Sequence, residues 1–232
     1  MVTYVPLYVQ GVLGGSPTEA GSAITPMVIG WPIASAISGR VLPRVGFRIL
    51  VRSGLLISAI AAATLALLLR PTASLHVPQA LSALFGVGLG LANTALLIAV
   101  QTSVEWRQRG VATASTMFAR TIGGTLAVGV LGALLSLALL SGSLPADAAD
   151  QLLGPQHGAG LDPAVQRQLA VALQDGLGTV FWAIAAIAAA SALTSLFFPD
   201  IPIRPSSEDR GAAAPRGSVQ GLPPVDIDQA GR

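Results

Sequence analysis

The sequence predicts an all-α membrane protein, built as a polytopic bundle of transmembrane helices. Hydrophobic residues make up 52% of the 232 residues and charged residues only 10%, whereas soluble domains carry about 25% charged residues. The apolar residues fall into five long segments, each near or above the ~20 residues that a helix needs to cross the hydrocarbon core. A soluble domain of this length has no need of such segments, so a lipid environment is indicated.

The element boundaries follow from these segments. Residues 1–14 are apolar but too short to span a bilayer alone, and they predict a partial first helix. Together with that partial helix, the bundle is expected to occupy residues 1–199. The predicted spans are residues 18–38, 49–69, 78–100, 111–140 and 177–198.

The first full span carries clear signals at its start and in its interior. Ser16, Pro17 and Glu19 favour a capping box with proline in the first helical turn. Pro26 and Pro32 lie inside the same span. Because proline removes a backbone donor, we expect a kink or a local opening there.

The positions of the arginines predict the orientation. Arginines are concentrated in the connections after the first and third full spans and in the tail, residues 200–232. The positive-inside rule places those parts in the cytoplasm and the long loop, residues 141–176, outside. We therefore expect a multi-pass protein of the plasma membrane, the inner membrane of a bacterial cell, with a cytoplasmic tail. The tail is rich in Pro, Gly, Ser and Ala and is predicted to be disordered.

The external loop holds one further helix signal. Asp162 and Pro163 form a cap and first-turn pair, and the stretch to about Leu173 mixes apolar residues with Gln and Arg. This pattern predicts an amphipathic helix at the membrane interface. A surface helix that closes the loop is an equal alternative.

Arg120 is the most unusual residue of the apolar segments. It lies about 15 Å into its span, near the bilayer midplane, at ~1.5 Å per residue. An arginine at that depth costs at least ~2.5–3.5 kcal/mol on insertion scales, and such residues face a cavity or a partner. The alternative is that Arg120 snorkels to the interface. The predicted cavity residues are Arg120, Thr116, Thr113, Asn93, Gln101 and Trp31.

Small residues at four-residue spacing predict close helix contacts in two spans. Gly86 and Gly90 lie in the third full span, and the fourth contains Gly123 with Ala127 four residues on, beside Gly124. Packing alone is the simpler interpretation of all four glycines.

Several classes of function are disfavoured. The chain has no Cys and two His, and neither His has a carboxylate neighbour at ligand spacing, so no metal site is expected. Signatures of hydrolytic enzymes and paired intramembrane carboxylates are missing, so the protein is not expected to be an enzyme. A basic stripe with interleaved aromatic residues is also missing, so no nucleic-acid partner is expected.

Several stretches carry a resemblance to a known family. Residues 39–48 read GRVLPRVGFR, similar to a degenerate copy of the loop Gly-x-x-x-Asp-Arg-x-Gly-Arg-Arg of the major facilitator superfamily. Pro43 stands where that motif has Asp, and Phe47 replaces a basic residue. Residues 7–43, Gln101, 109–115 and 120–124 resemble the late helices of its drug:proton antiporters, the branch with fourteen spans.

The resemblance implies a secondary transporter that exports small amphipathic compounds or drugs by alternating access, with a proton gradient as energy source and no cofactor. Spans 18–38, 78–100 and 111–140 would face the central cavity, and the other two would be peripheral. The cytoplasmic gating loop would contain Gly39, Arg40, Arg44, Gly46 and Arg48.

The resemblance also implies the C-terminal six-helix half of such a permease, with its first helix truncated. Its partners would then be the lipid bilayer, a small-molecule substrate, and an N-terminal half absent from this chain or supplied by a second chain. The alternatives are a non-transporting membrane subunit and an inactive truncated permease.

Overall fold

The structure, a computed structural model, describes residues 1–70, 73–141 and 163–199, and these residues form helices and their connections. All described helices belong to the compact unit Met1–Ile201. The predicted tail, residues 200–232, and residues 142–162 of the predicted external loop lie outside the described part. The helices are α1 Tyr4–Gly11, α2 Pro17–Val45, α3 Phe47–Leu68, α4 His76–Thr102, α5 Arg109–Ser141 and α6 Pro163–Ser195.

The prediction of an all-α membrane fold is confirmed. Of the described helices, α2 to α6 comprise five that are long and apolar enough to cross a membrane. A short 3-10 turn, Trp106–Gln108, leads into α5. The short helix α1 packs against α2 and α6, and Tyr8 of α1 meets the ring of Phe181 edge-on at 6.4 Å between centroids.

Helix α2 begins as the sequence predicts. The backbone N–H of Glu19 donates to the Ser16 hydroxyl at 3.2 Å, and the Ser16 N–H donates to the Glu19 carboxylate at 2.7 Å. These bonds satisfy two donors that a helix start leaves without partners. Pro26 and Pro32 do not interrupt the helix, which runs unbroken from Pro17–Val45.

The predicted loop at residues 39–48 is mostly helical. Helix α2 continues to Val45 and α3 begins at Phe47, so Gly46 alone links them. Gly46 has φ +85° and ψ 160°, a region that is open essentially to glycine only. The charged residues that interrupt the apolar segments predict a loop here. Arg44 in fact lies in the last turn of α2, where the helix dipole stabilises a positive charge.

The last span also begins earlier than expected. Helix α6 is continuous from Pro163–Ser195, so the predicted amphipathic helix after Asp162 is not a separate element. It is the start of the same helix that contains the last span. Gly176, which was expected to end the loop, lies within α6 and abuts α5, because a Cβ there would be 2.9 Å from Leu135 Cδ1.

Glycines set the distance between α4 and its neighbours. A Cβ at Gly86 would lie 2.7 Å from the Met27 carbonyl oxygen, and one at Gly90 would lie 2.5 Å from the Trp31 carbonyl oxygen. Helices α2 and α4 therefore approach backbone to backbone, as small residues permit. Two hydroxyls cross the same interface, with Ser38 donating to the Leu91 carbonyl at 3.0 Å and Ser35 to the Gly90 carbonyl at 3.4 Å.

Gly123 and Gly124 make no close helix contact in the described part of the chain. No atom there, apart from the helix's own backbone, lies within 4 Å of a Cβ built at either glycine. Helix α5 is the least buried of the five long helices. The spacing of small residues shows only that a close approach is sterically possible, and it does not show that another helix makes one.

Candidate functional site

Arg120 projects from α5 toward two other helices. Its Nη1 donates a hydrogen bond to Asn93 Oδ1 of α4 at 3.0 Å. Its guanidinium carbon lies 5.1 Å from the ring centroid of Trp31 on α2, within the range of a cation–π interaction. These three residues, here called the Arg120 cluster, bring α2, α4 and α5 together.

The depth of the contact favours the cavity interpretation over snorkelling. Arg120 lies about 16 Å along α5 from Arg109, and Asn93 lies about 14 Å along α4 from Thr102, at ~1.5 Å per residue. The connection between α4 and α5 joins those two helix ends. The side chain of Arg120 therefore reaches sideways to a partner at similar depth, rather than along its own helix to the interface.

The cluster leaves positive charge accessible. A guanidinium has five N–H donors and no acceptor, and the structure shows one of them bonded to Asn93. Arg120 is exposed, whereas Trp31 and Asn93 are half-buried. No carboxylate pairs with Arg120 in residues 1–70, 73–138 and 171–199, whose side chains are described. The cluster can therefore bind an acceptor or an anion from outside the described bundle.

The other predicted cavity residues lie nearer the ends of α4 and α5. Gln101 Nε2 donates to Thr113 Oγ1 at 3.2 Å and ties the two helices together. The hydroxyl of Thr116 donates to the Ala112 carbonyl of its own helix at 2.8 Å. The six residues thus separate into a three-residue cluster, a two-residue bridge and a threonine bonded within α5.

The residues of the predicted gating loop lie at the same end as that bridge. Arg40, Arg44 and Arg48 are exposed, and Arg40 Nη1 donates only a long bond, 3.4 Å, to the Ala36 carbonyl. Gly39 is helical with open space beside it, and Gly46 makes the turn. No hydrogen bond or ion pair links these arginines to the Arg120 cluster within the described residues.

Arg52 makes a long-range contact that the sequence did not indicate. Its Nε donates to the Ser195 carbonyl at 3.2 Å and its Nη2 to the Leu196 carbonyl. Carbonyls at a helix C-terminus have no partner within the helix, so arginine satisfies them there. The sequence signals an arginine near a helix end, but it does not identify a partner on another helix.

Comparison with known proteins finds a family model and relatives that each match more than half of the chain. The sequence model of the Major Facilitator Superfamily matches residues 1–128. The multidrug transporter protein MdtP of Bacillus subtilis is 36% identical over 58% of this chain and 25% of its own length. An uncharacterized MFS-type transporter of Mycobacterium tuberculosis, Rv1877, is 28% identical over 90% of this chain and 31% of its own.

A third relative is named for resistance to a drug. The tetracycline resistance determinant of Streptomyces rimosus is 33% identical over 56% of this chain and 38% of its own length. The chain thus spans between a quarter and two fifths of the length of these three curated relatives.

Proposed function

Because this chain belongs to the major facilitator superfamily and is a multi-pass membrane protein, we propose that it forms one helix bundle of a permease that exports small amphipathic compounds. Relatives named as a multidrug transporter, an aspyridones efflux protein and a tetracycline resistance determinant support this substrate class. The likeness of residues 7–43, 109–115 and 120–124 to the late helices of drug:proton antiporters with fourteen spans supports assigning the C-terminal bundle of such a permease.

The Arg120 cluster is the observation that carries the proposal. Arg120 supplies a fixed positive charge at about mid-membrane depth, and Trp31 supplies an apolar ring within 5.1 Å of it. An intramembrane ionisable residue with a polar partner marks a substrate or ion pathway more often than a packing site. An amphipathic compound has both an acceptor group for the guanidinium and an apolar body for the helix faces around it.

Alternating access requires a second bundle. In transporters of this kind the substrate site lies between two bundles that rock against each other. The exposed side of the Arg120 cluster is the surface to which the second bundle would contribute. That bundle belongs either to the same polypeptide or to another chain.

Proton coupling is the second part of the proposal. Export against a gradient needs an ion whose binding alternates with that of the substrate, and a carboxylate is the usual proton carrier in such pathways. No described carboxylate contacts the Arg120 cluster. We therefore assign the proton-binding acid to the second bundle, opposite Arg120.

Transport by everted membrane vesicles tests the proposal. The chain is expressed alone and also joined to the first bundle of MdtP, and tetracycline accumulation is measured under an imposed pH gradient. Accumulation is expected only in the joined protein, and it should stop when an ionophore collapses the pH gradient. Accumulation that persists without the gradient contradicts proton coupling.

Two other outcomes contradict the need for a second bundle and the assignment of drug efflux. Accumulation by the chain alone contradicts the need for a second bundle of different sequence, and it indicates a dimer of two identical bundles. A joined protein that inserts fully, yet moves neither tetracycline nor ethidium, contradicts drug efflux and supports a non-transporting membrane subunit.

A further inference from the structure

An apolar groove runs between α3 and α6, two helices that contribute nothing to the Arg120 cluster. Its volume is about 570 Å³, and its walls are mostly aliphatic, with Ile49, Leu56 and Ala59 on α3 and Ala192 and Leu193 on α6. Leu56 and Leu193 are more than half exposed. Arg52 is the charged residue among the described residues that line the groove.

Arg52 is held at one end of this groove. Its bonds to the carbonyls of Ser195 and Leu196 orient the guanidinium, and they engage Nε and one Nη2 proton. The remaining N–H groups of a guanidinium point outward in a fixed fork that suits the oxygens of a phosphate. The groove therefore combines an apolar wall with a positioned donor at its end.

Arg48 adds a second charge beside Arg52. The two residues are four positions apart on α3, so they share a helix face. Arg48 is exposed, and neither arginine forms an ion pair within the described part of the chain. The end of the groove is thus a site of uncompensated positive charge.

The length of the groove matches one leaflet of a bilayer. From Ile49 to Ala59 it extends ~15 Å along α3 at ~1.5 Å per residue, and one leaflet contributes about half of the ~30 Å hydrocarbon core. We propose that this groove binds one anionic phospholipid, with its phosphate at Arg48 and Arg52 and one acyl chain along the apolar wall. Basic pockets between transmembrane helices favour such head groups. This proposal does not rest on the transport function proposed above.

Lipid binding to the purified chain tests the proposal. Native mass spectrometry in detergent is used to titrate the full chain with dioleoylphosphatidylglycerol and with dioleoylphosphatidylcholine, which have the same acyl chains. One saturable phosphatidylglycerol site is expected, with at least about fivefold higher affinity than phosphatidylcholine, since each arginine near an anionic head group contributes roughly that factor.

Charge variants separate this site from general surface attraction. Arg48→Gln should lower the affinity for phosphatidylglycerol about fivefold and leave that for phosphatidylcholine unchanged. Arg107→Gln is the matched control, because Arg107 is an exposed arginine outside the groove, on the 3-10 turn before α5. Equal losses in both variants, or equal affinity of the native chain for both lipids, overturn the proposal.

A groove variant tests the apolar wall while keeping both arginines. Ala192→Trp fills the groove and should reduce binding of both lipids, with a melting temperature close to that of the native chain as evidence of folding. Unchanged phosphatidylglycerol binding by Ala192→Trp overturns the assignment to this groove. Phosphatidylglycerol binding that arises only after residues 200–232 are deleted also overturns the proposal, since the tail would then occupy the groove in the intact chain.

Discussion

Gly54 of α3 and Gly88 of α4 each occupy the space that a side chain on the other would need. A Cβ at Gly54 would lie 2.6 Å from the Gly88 carbonyl oxygen, and a Cβ at Gly88 would lie 2.5 Å from the Gly54 carbonyl oxygen. Gly86 and Gly90 are two positions to either side of Gly88 and face α2 instead. Alternate glycines therefore let α4 sit tightly between α2 and α3.

Gly88→Ala should destabilise the bundle. The added methyl group would meet backbone atoms of α3, which cannot move aside as a flexible side chain can, and overpacking of this kind costs about 1–3 kcal/mol. The measurement is the melting temperature in detergent. Gly123→Ala is the control, because a Cβ there meets nothing within 4 Å among the described residues. Equal melting temperatures for the two variants would contradict the tight crossing.

Gly46→Ala should weaken the connection between α2 and α3. At φ +85° and ψ 160°, an L-residue with a side chain is strained by about 1–3 kcal/mol. Gly39→Ala provides the control, because Gly39 is helical and has open space beside it. Unfolding in a denaturant series should separate the two variants. A native-like Gly46→Ala would show that the turn adopts another conformation.

Arg120→Ala should abolish tetracycline accumulation by the joined protein while leaving insertion and expression unchanged. Arg120→Lys should restore only part of the activity, because an ammonium lacks the planar fork of donors. Arg107→Ala, which removes an exposed arginine outside the Arg120 cluster, should transport normally. Normal transport by Arg120→Ala, or labelling of position 120 by lipid-phase probes, would assign Arg120 to snorkelling.

Asn93 is expected to act by positioning Arg120. Asn93→Leu removes the acceptor of the 3.0 Å hydrogen bond, and a hydrogen bond to a charged group contributes about 1.5–3 kcal/mol. The substrate concentration at half-maximal accumulation should therefore rise about tenfold or more. Asn93→Leu should still transport, whereas Arg120→Ala should not. Thr121→Val is the control, since that hydroxyl bonds to the Met117 carbonyl of its own helix. The same half-maximal substrate concentration for Asn93→Leu and the native protein would contradict a positioning role.

Single-cysteine labelling tests the orientation, and the chain needs no prior changes because it contains no Cys. An impermeant maleimide should label Asp147→Cys in intact cells. It should label Arg48→Cys and a cysteine in the tail only after the cells are permeabilised, because the positive-inside rule places these parts in the cytoplasm. Labelling of position 48 from outside would reverse the predicted topology and move the lipid site to the outer leaflet.

Most of the secondary structure was predictable from the sequence, and the errors of that prediction have a common cause. The long apolar segments and the capping box at Ser16 and Glu19 are local signals, and both appear in the structure. Residues 39–48 are helical except for Gly46, although their charged residues suggested a loop, and the helix predicted after Asp162 is continuous with the last span. Polarity reports where a helix leaves the hydrocarbon, whereas backbone hydrogen bonding continues beyond that point.

The sequence by itself determined the membrane helices, the asymmetry of the arginines and the unusual depth of Arg120, because each depends on residues close together in the chain. Only the tertiary structure decided that Arg120 meets Asn93 and Trp31, and that Arg52 caps α6. It also decided that Gly90 is in contact with α2, whereas Gly123 has no close neighbour among the described residues. These outcomes depend on how helices that are distant in sequence cross. A pattern within one helix shows which residues share a face, but it does not identify the residues that pack against that face.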